Sequence, residues 1–395
     1  MTTEGLEQGD FRIRSLTNSV YLPSLLFAIG QGATIPIIAL VALDLGASAA
    51  LAGVIVALRG IGTFVFDVPA GILVARFGER RAMVSATISL VLVAVGIAFR
   101  PSLVVYAILV FLLGCAWSVW ALARLTYVTE ATPLRLRGRV MSIMGGTMRI
   151  GQFVGPLIGG LVIIWWGLVG PFVVQALFAA AASVVLALTT EPDVSRDHRP
   201  PPVSTRSVVR ANLRTLGTAG MVAVAIQVLR SARQVIIPLW GDQIGLGAGQ
   251  ISLIFGASAG IEMAIFYPIG MLMDRKGRKW AAIPCLVMLA IGMALIPVTS
   301  TFAGLLLVGL FLGLANGLGS GINMTLGSDL SPPLGRSQFF GVWRLVSDLG
   351  TAGGPLLVAA VTSIATLGAA SVFVGAIGLI GAAVMWKAVP ETLQR

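Results

Sequence analysis

Apolar stretches long enough to cross a membrane recur along almost the whole chain, and they constrain the fold more than any other feature. A helix of about 20 apolar residues spans the ~30 Å hydrocarbon core of a bilayer. Of the 395 residues, 57% are hydrophobic and 11% are charged, against roughly 25% charged in an ordinary soluble domain. We therefore predict an all-α membrane protein with twelve transmembrane helices, near residues 17–43, 48–74, 82–99, 102–123, 140–164, 168–189, 219–240, 249–273, 280–299, 302–325, 338–361 and 365–386.

The net charge of +11 is concentrated in alternate loops. This arrangement satisfies the positive-inside rule if the N-terminus is cytoplasmic. The basic loops hold Arg12 and Arg14 and the arginines and lysines within 76–81, 135–139, 196–214 and 275–279. We therefore expect both termini in the cytoplasm and no nucleic-acid partner. The first apolar run is too long for the core of a signal peptide and is expected to remain as a span. Arginine far outnumbers lysine, which favours a bacterial cytoplasmic (inner) membrane.

The longest polar segment, from Glu191 to Thr215, divides the predicted spans six and six and is rich in proline and arginine. Two pairs of segments share sequence at one constant offset of 199 positions: PAGILVARFGERR from Pro69 with PIGMLMDRKGRKW from Pro268, and GPLIGG from Gly155 with GPLLVA from Gly354. One constant offset indicates a duplicated unit. We predict an N-terminal six-helix bundle (1–190), a cytoplasmic linker (191–218) and a C-terminal six-helix bundle (219–395).

The duplicated segment contains a patterned loop. Its second copy reads G-x-L-x-D-R-x-G-R-K and includes Gly270, Asp274, Arg275 and Gly277. The first copy keeps Gly71 and Gly78 but has Ala75 in place of the acid and Glu79 in place of a base. The pattern resembles the signature loop of the major facilitator superfamily. The resemblance implies the major facilitator fold, with twelve helices in two pseudo-symmetric six-helix bundles, and loops that act as conformational latches.

The fifth predicted span carries a second pattern, made of Gly151, Gly155, Pro156, Gly159 and Gly160. It is similar to the G-x3-G-P-x2-G-G element of drug:proton antiporters, the exporting branch of that superfamily, although Ser142 stands where the outlying glycine belongs. Glycines at every fourth position give a flat ridge for close helix contact, and the proline gives a fixed bend. Ordinary packing of small residues is the alternative reading.

Charged side chains deep in the spans are the candidate coupling groups, because each costs about 2.5 to 3.5 kcal/mol at the bilayer centre. The deep carboxylates are Asp67, Glu262 and Asp348, and the deep arginines are Arg59, Arg149, Arg230, Arg233 and Arg344, with Arg124 nearer one end of the fourth span. In the resembled fold the second span packs on the eleventh and the fifth on the eighth. Depth then pairs Arg149 with Glu262, Asp67 with Arg344 and Arg59 with Asp348.

A carboxylate in a low-dielectric interior can be neutralised by one proton, whereas a guanidinium stays charged. We therefore predict that Glu262, Asp348 and Asp67 are proton-coupling candidates held by Arg149, Arg59 and Arg344. The alternative is that these buried pairs are fixed structural pins.

The resembled fold also places the seventh span on a central cavity, where Arg230 and Arg233 lie three residues apart. Gln31, the repeat equivalent of Arg230, is expected to face it. The remaining cavity candidates are Trp117, Trp120, Asn316 and Asn323. The excess of arginine favours an anionic or zwitterionic substrate. Alternatively, one of the two arginines pairs with Asp348 or Glu262 and the other points to the aqueous vestibule.

These observations predict a secondary active transporter that exports a small amphipathic organic compound in exchange for protons. A proton-coupled importer or facilitator of a metabolite is the alternative. An enzyme is not expected, because the single histidine, His198, lies in the linker, and no Walker-type nucleotide loop is present. We expect no cofactor and no metal, and a monomer whose partners are membrane lipid, protons and a small-molecule substrate.

Overall fold

The computed structural model describes residues 13–189, 204–332 and 334–392. Eleven helical stretches in these residues are long and apolar enough to cross a membrane, and one of them, Leu136–Leu188, contains two helices that join at Gly167. The twelve predicted spans are thus confirmed in the described part of the chain. They are α1 (Ile13–Asp44), α2 (Ala49–Phe77), α3 (Glu79–Ala98), α4 (Leu103–Ala131), α5 (Leu134–Trp166), α6 (Gly170–Leu188), α7 (Leu213–Gln243), α8 (Ala248–Lys276), α9 (Lys279–Leu295), α10 (Phe302–Asp329), α11 (Arg336–Ile364) and α12 (Leu367–Lys387).

The helices form the two pseudo-symmetric six-helix bundles that the resemblance implies. In the first bundle α1 packs on α5 and α6, α2 on α4, and α3 on α4 and α6. In the second, α7 packs on α11 and α12, α8 on α10, and α9 on α10 and α12. Most of the predicted linker, including Glu191 and His198, lies outside the described residues, as does Arg12, so the proposed boundaries between bundles and linker remain predictions.

Each bundle has a close helix contact at a glycine, and the two glycines are separated by the same offset of 199 positions. A Cβ built on Gly114 would lie 2.0 Å from the carbonyl oxygen of Arg59, and one on Gly313 would lie 2.3 Å from that of Ser258. Gly114 corresponds to Gly313, and Arg59 to Ser258, across the 199-position repeat. Any other residue at Gly114 would push α2 away from α4, and any other residue at Gly313 would push α8 away from α10. The same helix contact therefore occurs in both bundles.

The two patterned loops end α2 and α8 in the same way. Gly78 and Gly277 have φ values of 83° and 104°, a conformation that residues with a Cβ rarely adopt. Just after each glycine, a basic side chain binds carbonyls at the end of the last helix of its bundle. Arg80 Nε donates to Leu186 O at 2.7 Å, and Lys279 Nζ donates to Trp386 O at 2.8 Å. Each loop therefore ties its own bundle together.

The bundles meet along a seam of two antiparallel helix pairs, α2 with α11 and α5 with α8. We call the end of the molecule that carries Gly78 and Gly277 the signature end, and the end that carries Gly46 and Gly245 the distal end. Toward the distal end the seam is tightly packed, since a Cβ on Gly60 would lie 2.9 Å from Cα of Ala352.

Other distal contacts are similarly close. A Cβ on Gly256 would lie 2.6 Å from Cδ2 of Leu157, and one on Gly160 would lie 3.0 Å from Cβ of Ser252. Toward the signature end, a Cβ on any of four seam-helix glycines would meet nothing within 4 Å; these are Gly145, Gly146, Gly270 and Gly341. The seam is therefore closed at the distal end and open at the signature end.

Candidate functional site

An ion pair joins the bundles at the point where the α5–α8 seam begins to open. Arg149 Nη1 lies 2.9 Å from Glu262 Oε1, and the two side chains are 18% and 14% exposed. The guanidinium also lies 4.0 Å above the ring of Phe266, one turn toward the signature end on α8. The pairing of Arg149 with Glu262 that depth predicted is thus present, and beyond it Gly145 and Gly146 face open space.

Glu262 is also the first group of a polar chain that reaches α7 and α10. Asn316 donates from Nδ2 to Glu262 Oε2 and accepts at Oδ1 from Arg230 Nε. Arg230 Nη2 then donates to Gly319 O at 2.9 Å. Gly319 follows the first helical segment of α10, Phe302–Leu318, which is interrupted before Ile322, where Gly321 has a φ of 80°. Arg230 Nη2 therefore adds a charged donor at the break in α10, where Gly319 O also accepts from Ile322 N at 3.2 Å.

A second cross-bundle cluster lies on the α2–α11 seam. Arg344 Nη2 lies 2.9 Å from Asp67 Oδ1, as predicted, and Ser118 on α4 donates to the same carboxylate oxygen. Arg344 Nε also lies 3.6 Å from Asp348 Oδ2, one turn along its own helix. Two carboxylates thus share one guanidinium, and Asp67 Oδ2 and Asp348 Oδ2 are both buried without a hydrogen bond.

The predicted pairing of Arg59 with Asp348 is wrong. Arg59 Nη2 donates to Gln31 Oε1, and Asp348 pairs instead with Arg344. The register that brings Asp67 to Arg344 and Gly60 to Ala352 leaves Arg59 about one turn nearer the distal end than Asp348, whereas Arg344 lies one turn from Asp348 on the same face of α11. Gln31 accepts the hydrogen bond from Arg59 and is only 5% exposed, and no hydrogen bond between Gln31 and Arg230 is present among the described residues, so its place opposite Arg230 remains a prediction.

The other cavity candidates have different surroundings. Arg233 donates from Nη1 to Ser258 Oγ at 3.3 Å, and no pairing of Arg230 or Arg233 with Asp348 is present among the described residues. Trp120 is fully buried and stacks on Phe27 with ring centroids 4.5 Å apart, so its predicted place on the cavity is wrong.

Trp117 and Asn316 occupy equivalent positions in the two repeats, and Trp117 remains partly exposed. Asn323 donates to Ser347 Oγ at 3.4 Å, and its backbone carbonyl accepts from Trp343 Nε1 at 3.0 Å. Asn323 therefore joins α10 to α11 and is not paired with a charge.

Three of the fifth-span glycines, Gly151, Gly155 and Gly159, form a packing ridge toward α1, whereas Gly160 faces Ser252 across the seam. A Cβ on Gly155 would lie 2.4 Å from Ile29 O, and one on Gly159 would lie 2.9 Å from Ala33 O. Gly151 meets Ala28 on the same helix, and Pro156 is buried beside Gly32. The ridge contacts a helix of its own bundle, which matches the ordinary-packing alternative for its immediate role.

Some signature-loop residues make contacts within their own bundle, and others are exposed. Arg278 binds Asp329 Oδ2 at 2.8 Å and Asp274 Oδ1 at 3.5 Å, and Asp274 is 75% exposed. Arg275 is exposed, and neither Gly71 nor Gly270 has a close neighbour on the opposite bundle. With the signature end open, none of these residues has a partner on the other bundle in the part of the chain that the structure describes.

Four side-chain partners of the charged groups were not predicted from the sequence: Ser118, Gln227, Ser258 and Phe266. The sequence repeat could have identified Ser258 and Phe266, since they are the repeat equivalents of Arg59 and Asp67. Each occupies in one bundle the position that holds a deep charge in the other.

Comparison with known proteins is consistent with this architecture. The family model of the Major Facilitator Superfamily matches residues 20–234 and again 220–395. The chain is 29% identical over 175 residues to the multidrug resistance protein MdtG of Klebsiella pneumoniae, covering 43% of this chain and 41% of that protein. It is 29% identical over 149 residues to a quinolone resistance transporter of Acinetobacter baumannii, covering 37% and 34%. The matched segments thus span less than half the length of these curated relatives.

Among solved structures, the crystal structure of a D-xylose-proton symporter superposes with a TM-score of 0.75 over 96% of this chain and 98% of that one, at 18% identity, and so shows the shared fold. Two matches of the family model cover nearly the whole chain, and the helix order and paired bundles agree with them. The chain belongs to the Major Facilitator Superfamily.

Proposed function

We propose that this transporter exports a small amphipathic organic compound from the cytoplasm in exchange for protons. The observation that carries the proposal is the placement of two carboxylate–arginine clusters across the seam, at the level where it opens. The multidrug resistance and quinolone resistance names of the relatives support export of drug-like molecules.

The Arg149–Glu262 pair supplies the coupling in this proposal. Ionised Glu262 binds Arg149 and holds α8 against α5, whereas protonated Glu262 has no charge to offer the guanidinium. Breaking a buried pair and leaving one charge unpaired costs about 3 to 5 kcal/mol. That free energy is enough to shift a two-state equilibrium between open ends by more than about a hundredfold.

The Asp67–Arg344–Asp348 cluster supplies a second place for a proton. Two carboxylates beside one guanidinium leave one negative charge uncompensated, and neighbouring carboxylates of this kind share a proton readily. Because Asp67 lies on α2 and the other two groups on α11, proton occupancy here acts on the opposite side of the same seam.

The basic loops support the orientation. With the signature end in the cytoplasm, both termini are cytoplasmic in a bacterial inner membrane, and the positive-inside rule is satisfied. The structure is then an inward-open state, in which a compound from the cytoplasm enters between the bundles and reaches Glu262. Exchange follows if the compound and the proton compete for that state.

The test is proton release from the purified, detergent-solubilised monomer on addition of candidate compounds, including a quinolone. Wild type should release protons in proportion to binding, and Glu262→Gln should bind without release. Arg149→Ala should alter the pH at which release occurs. Asp242→Asn removes an exposed carboxylate at the distal end and serves as the matched control.

Binding without proton release in both wild type and Glu262→Gln would contradict the exchange mechanism. Proton uptake on binding would favour the alternative, a proton-coupled importer, since the fold is shared with a protein described as a D-xylose-proton symporter.

A further inference from the structure

Three guanidinium groups beside the seam bind only neutral acceptors among the described residues. Arg59 donates to Gln31, Arg233 donates to Ser258, and Arg230 donates to Asn316, Gly319 and Gln227. Arg233 also has a buried Nε without a hydrogen-bond partner. A charged side chain inside a membrane protein is retained where it pairs with an opposite charge or serves a substrate. The protein itself supplies no carboxylate within ion-pair distance of these three groups in its described part.

Two of these groups, Arg233 and Arg59, lie toward the closed end of the seam, and Arg230 lies beside Glu262, to which Asn316 joins it. Arg233 is three residues to the distal side of Arg230 on α7, and Ser258 is four residues to the distal side of Glu262 on α8. Arg59 is the repeat equivalent of Ser258, so it reaches the same depth from the opposite bundle. A compound that enters from the open signature end passes Glu262 and Arg230 first and meets Arg233 and Arg59 last.

Exchange for protons restricts the charge that such a compound can have. A compound with only a positive charge would compete with the proton for Glu262 but would be repelled by the arginines around it. A compound with only a negative charge would favour protonated Glu262, because that state frees Arg149, and it would take up a proton on binding. A zwitterion satisfies both ends, with its cation at Glu262 and its anion at the arginines.

We propose that the substrate is a zwitterionic amphipathic compound whose carboxylate, or equivalent monoanion, is bound by Arg233 with Arg230 and Arg59. The guanidinium of Arg233 has an Nε without a hydrogen bond, and its Nε–Nη2 edge has the geometry that suits a bidentate anion while Nη1 donates to Ser258. The basic group of the substrate replaces the proton on Glu262, and the apolar body lies toward Trp117, the repeat equivalent of Asn316. This inference rests on the proposed function, because it assigns the substrate class of the same cavity.

The experiment compares head groups on constant bodies. The probes are phenylalanine, naphthylalanine and biphenylalanine, each as the free zwitterion, the cationic methyl ester, the anionic N-acetyl derivative and the neutral N-acetyl methyl ester. Dissociation constants are measured on the purified full-length protein by thermal-shift titration and isothermal calorimetry, together with proton release.

For at least one body, wild type is expected to bind the zwitterion at least about tenfold more tightly than either singly charged form, the effect of one charge-assisted hydrogen bond. Arg233→Gln should abolish the preference over the ester and keep the preference over the N-acetyl form. Glu262→Gln should do the reverse, and Arg233→Lys should retain a preference over the ester. Arg124→Gln removes another deep arginine, which is 8% exposed and lies on α4, and should leave both preferences unchanged.

The inference is overturned if the ester binds as tightly as the zwitterion, if the preference survives in Arg233→Gln, if Arg124→Gln abolishes it as fully, or if no zwitterion binds. Proton release by the methyl ester alone would leave exchange intact while refuting the zwitterion. Binding of the zwitterion with both preferences but without proton release would support the zwitterionic substrate and refute exchange. The failure of this inference and the failure of the proposed function are therefore distinguishable.

Discussion

Replacing Glu262 with glutamine is predicted to destabilise the closed distal end of the α5–α8 seam. The substitution leaves Arg149 charged and without its 2.9 Å partner, in a pair whose side chains are less than a fifth exposed. Loss of one member of a buried pair costs about 3 to 5 kcal/mol. We expect the lower limit, because Phe266 still contacts the guanidinium and glutamine can still accept a hydrogen bond from Asn316. About 3 kcal/mol corresponds to a change of roughly a hundredfold in the ratio of closed to open states.

Distance measurements between spin labels can report this ratio. Leu161 on α5 and Leu253 on α8 are 55% and 45% exposed and lie where the seam is closed, so Leu161→Cys and Leu253→Cys place labels on both sides of it. Cys115 and Cys285 are buried, and replacing them with serine removes competing labelling. Wild type should give mainly the short distance, and Glu262→Gln should transfer population to a longer one.

The double variant tests whether the pair itself is responsible. Arg149→Met should shift the distribution as Glu262→Gln does, whereas the double variant removes both charges and should return most of the population to the short distance. Equal distributions in wild type and Glu262→Gln would refute the reasoning, and so would additive shifts in the double variant. Asp242→Asn should change nothing.

Three further predictions concern the second cluster and the packing. Asp67→Asn should lower the thermal unfolding temperature less than Glu262→Gln does, because Arg344 keeps a second carboxylate; an equal loss would contradict the shared arrangement. Gly114→Val should prevent close packing of α2 on α4 and lower the free energy of unfolding by more than the ~1 to 3 kcal/mol usual for overpacking. Size-exclusion chromatography should then show a loss of folded protein. Gly146→Ala places its methyl group in open space and should be tolerated. Trp120→Ala should destabilise by about 3 kcal/mol without altering which compounds bind, and an altered binding profile would place the ring at the cavity after all.

The sequence predicted the spans and the depth of the charges because both are properties along the helix axis. Apolar length fixes where a helix crosses the membrane, and antiparallel helices then place Arg149 level with Glu262 and Asp67 level with Arg344. The constant repeat offset likewise predicted the paired bundles, since equivalent glycines make equivalent contacts.

What the sequence could not predict is rotation about each helix axis and competition between near neighbours. Trp120 turns toward Phe27 and into the bundle core, and Gln31 turns toward Arg59. Asp348 selects Arg344, four residues away on its own helix, over an arginine on another helix. The break in α10 had a readable signal, since Gly319 and Gly321 flank it, but only the structure shows that Arg230 donates to Gly319 O at this break.

The coupling of substrate to proton is tested most directly by the sign of a pH change inside proteoliposomes. A quinolone gradient is applied with the membrane potential clamped at zero, and a trapped pH indicator is read in wild type and in Glu262→Gln. Under exchange, inward movement of the compound should make the wild-type lumen alkaline, whichever way the protein is inserted, and Glu262→Gln should abolish the change. Acidification of the lumen with the wild type would show that proton and compound move together, which would contradict exchange.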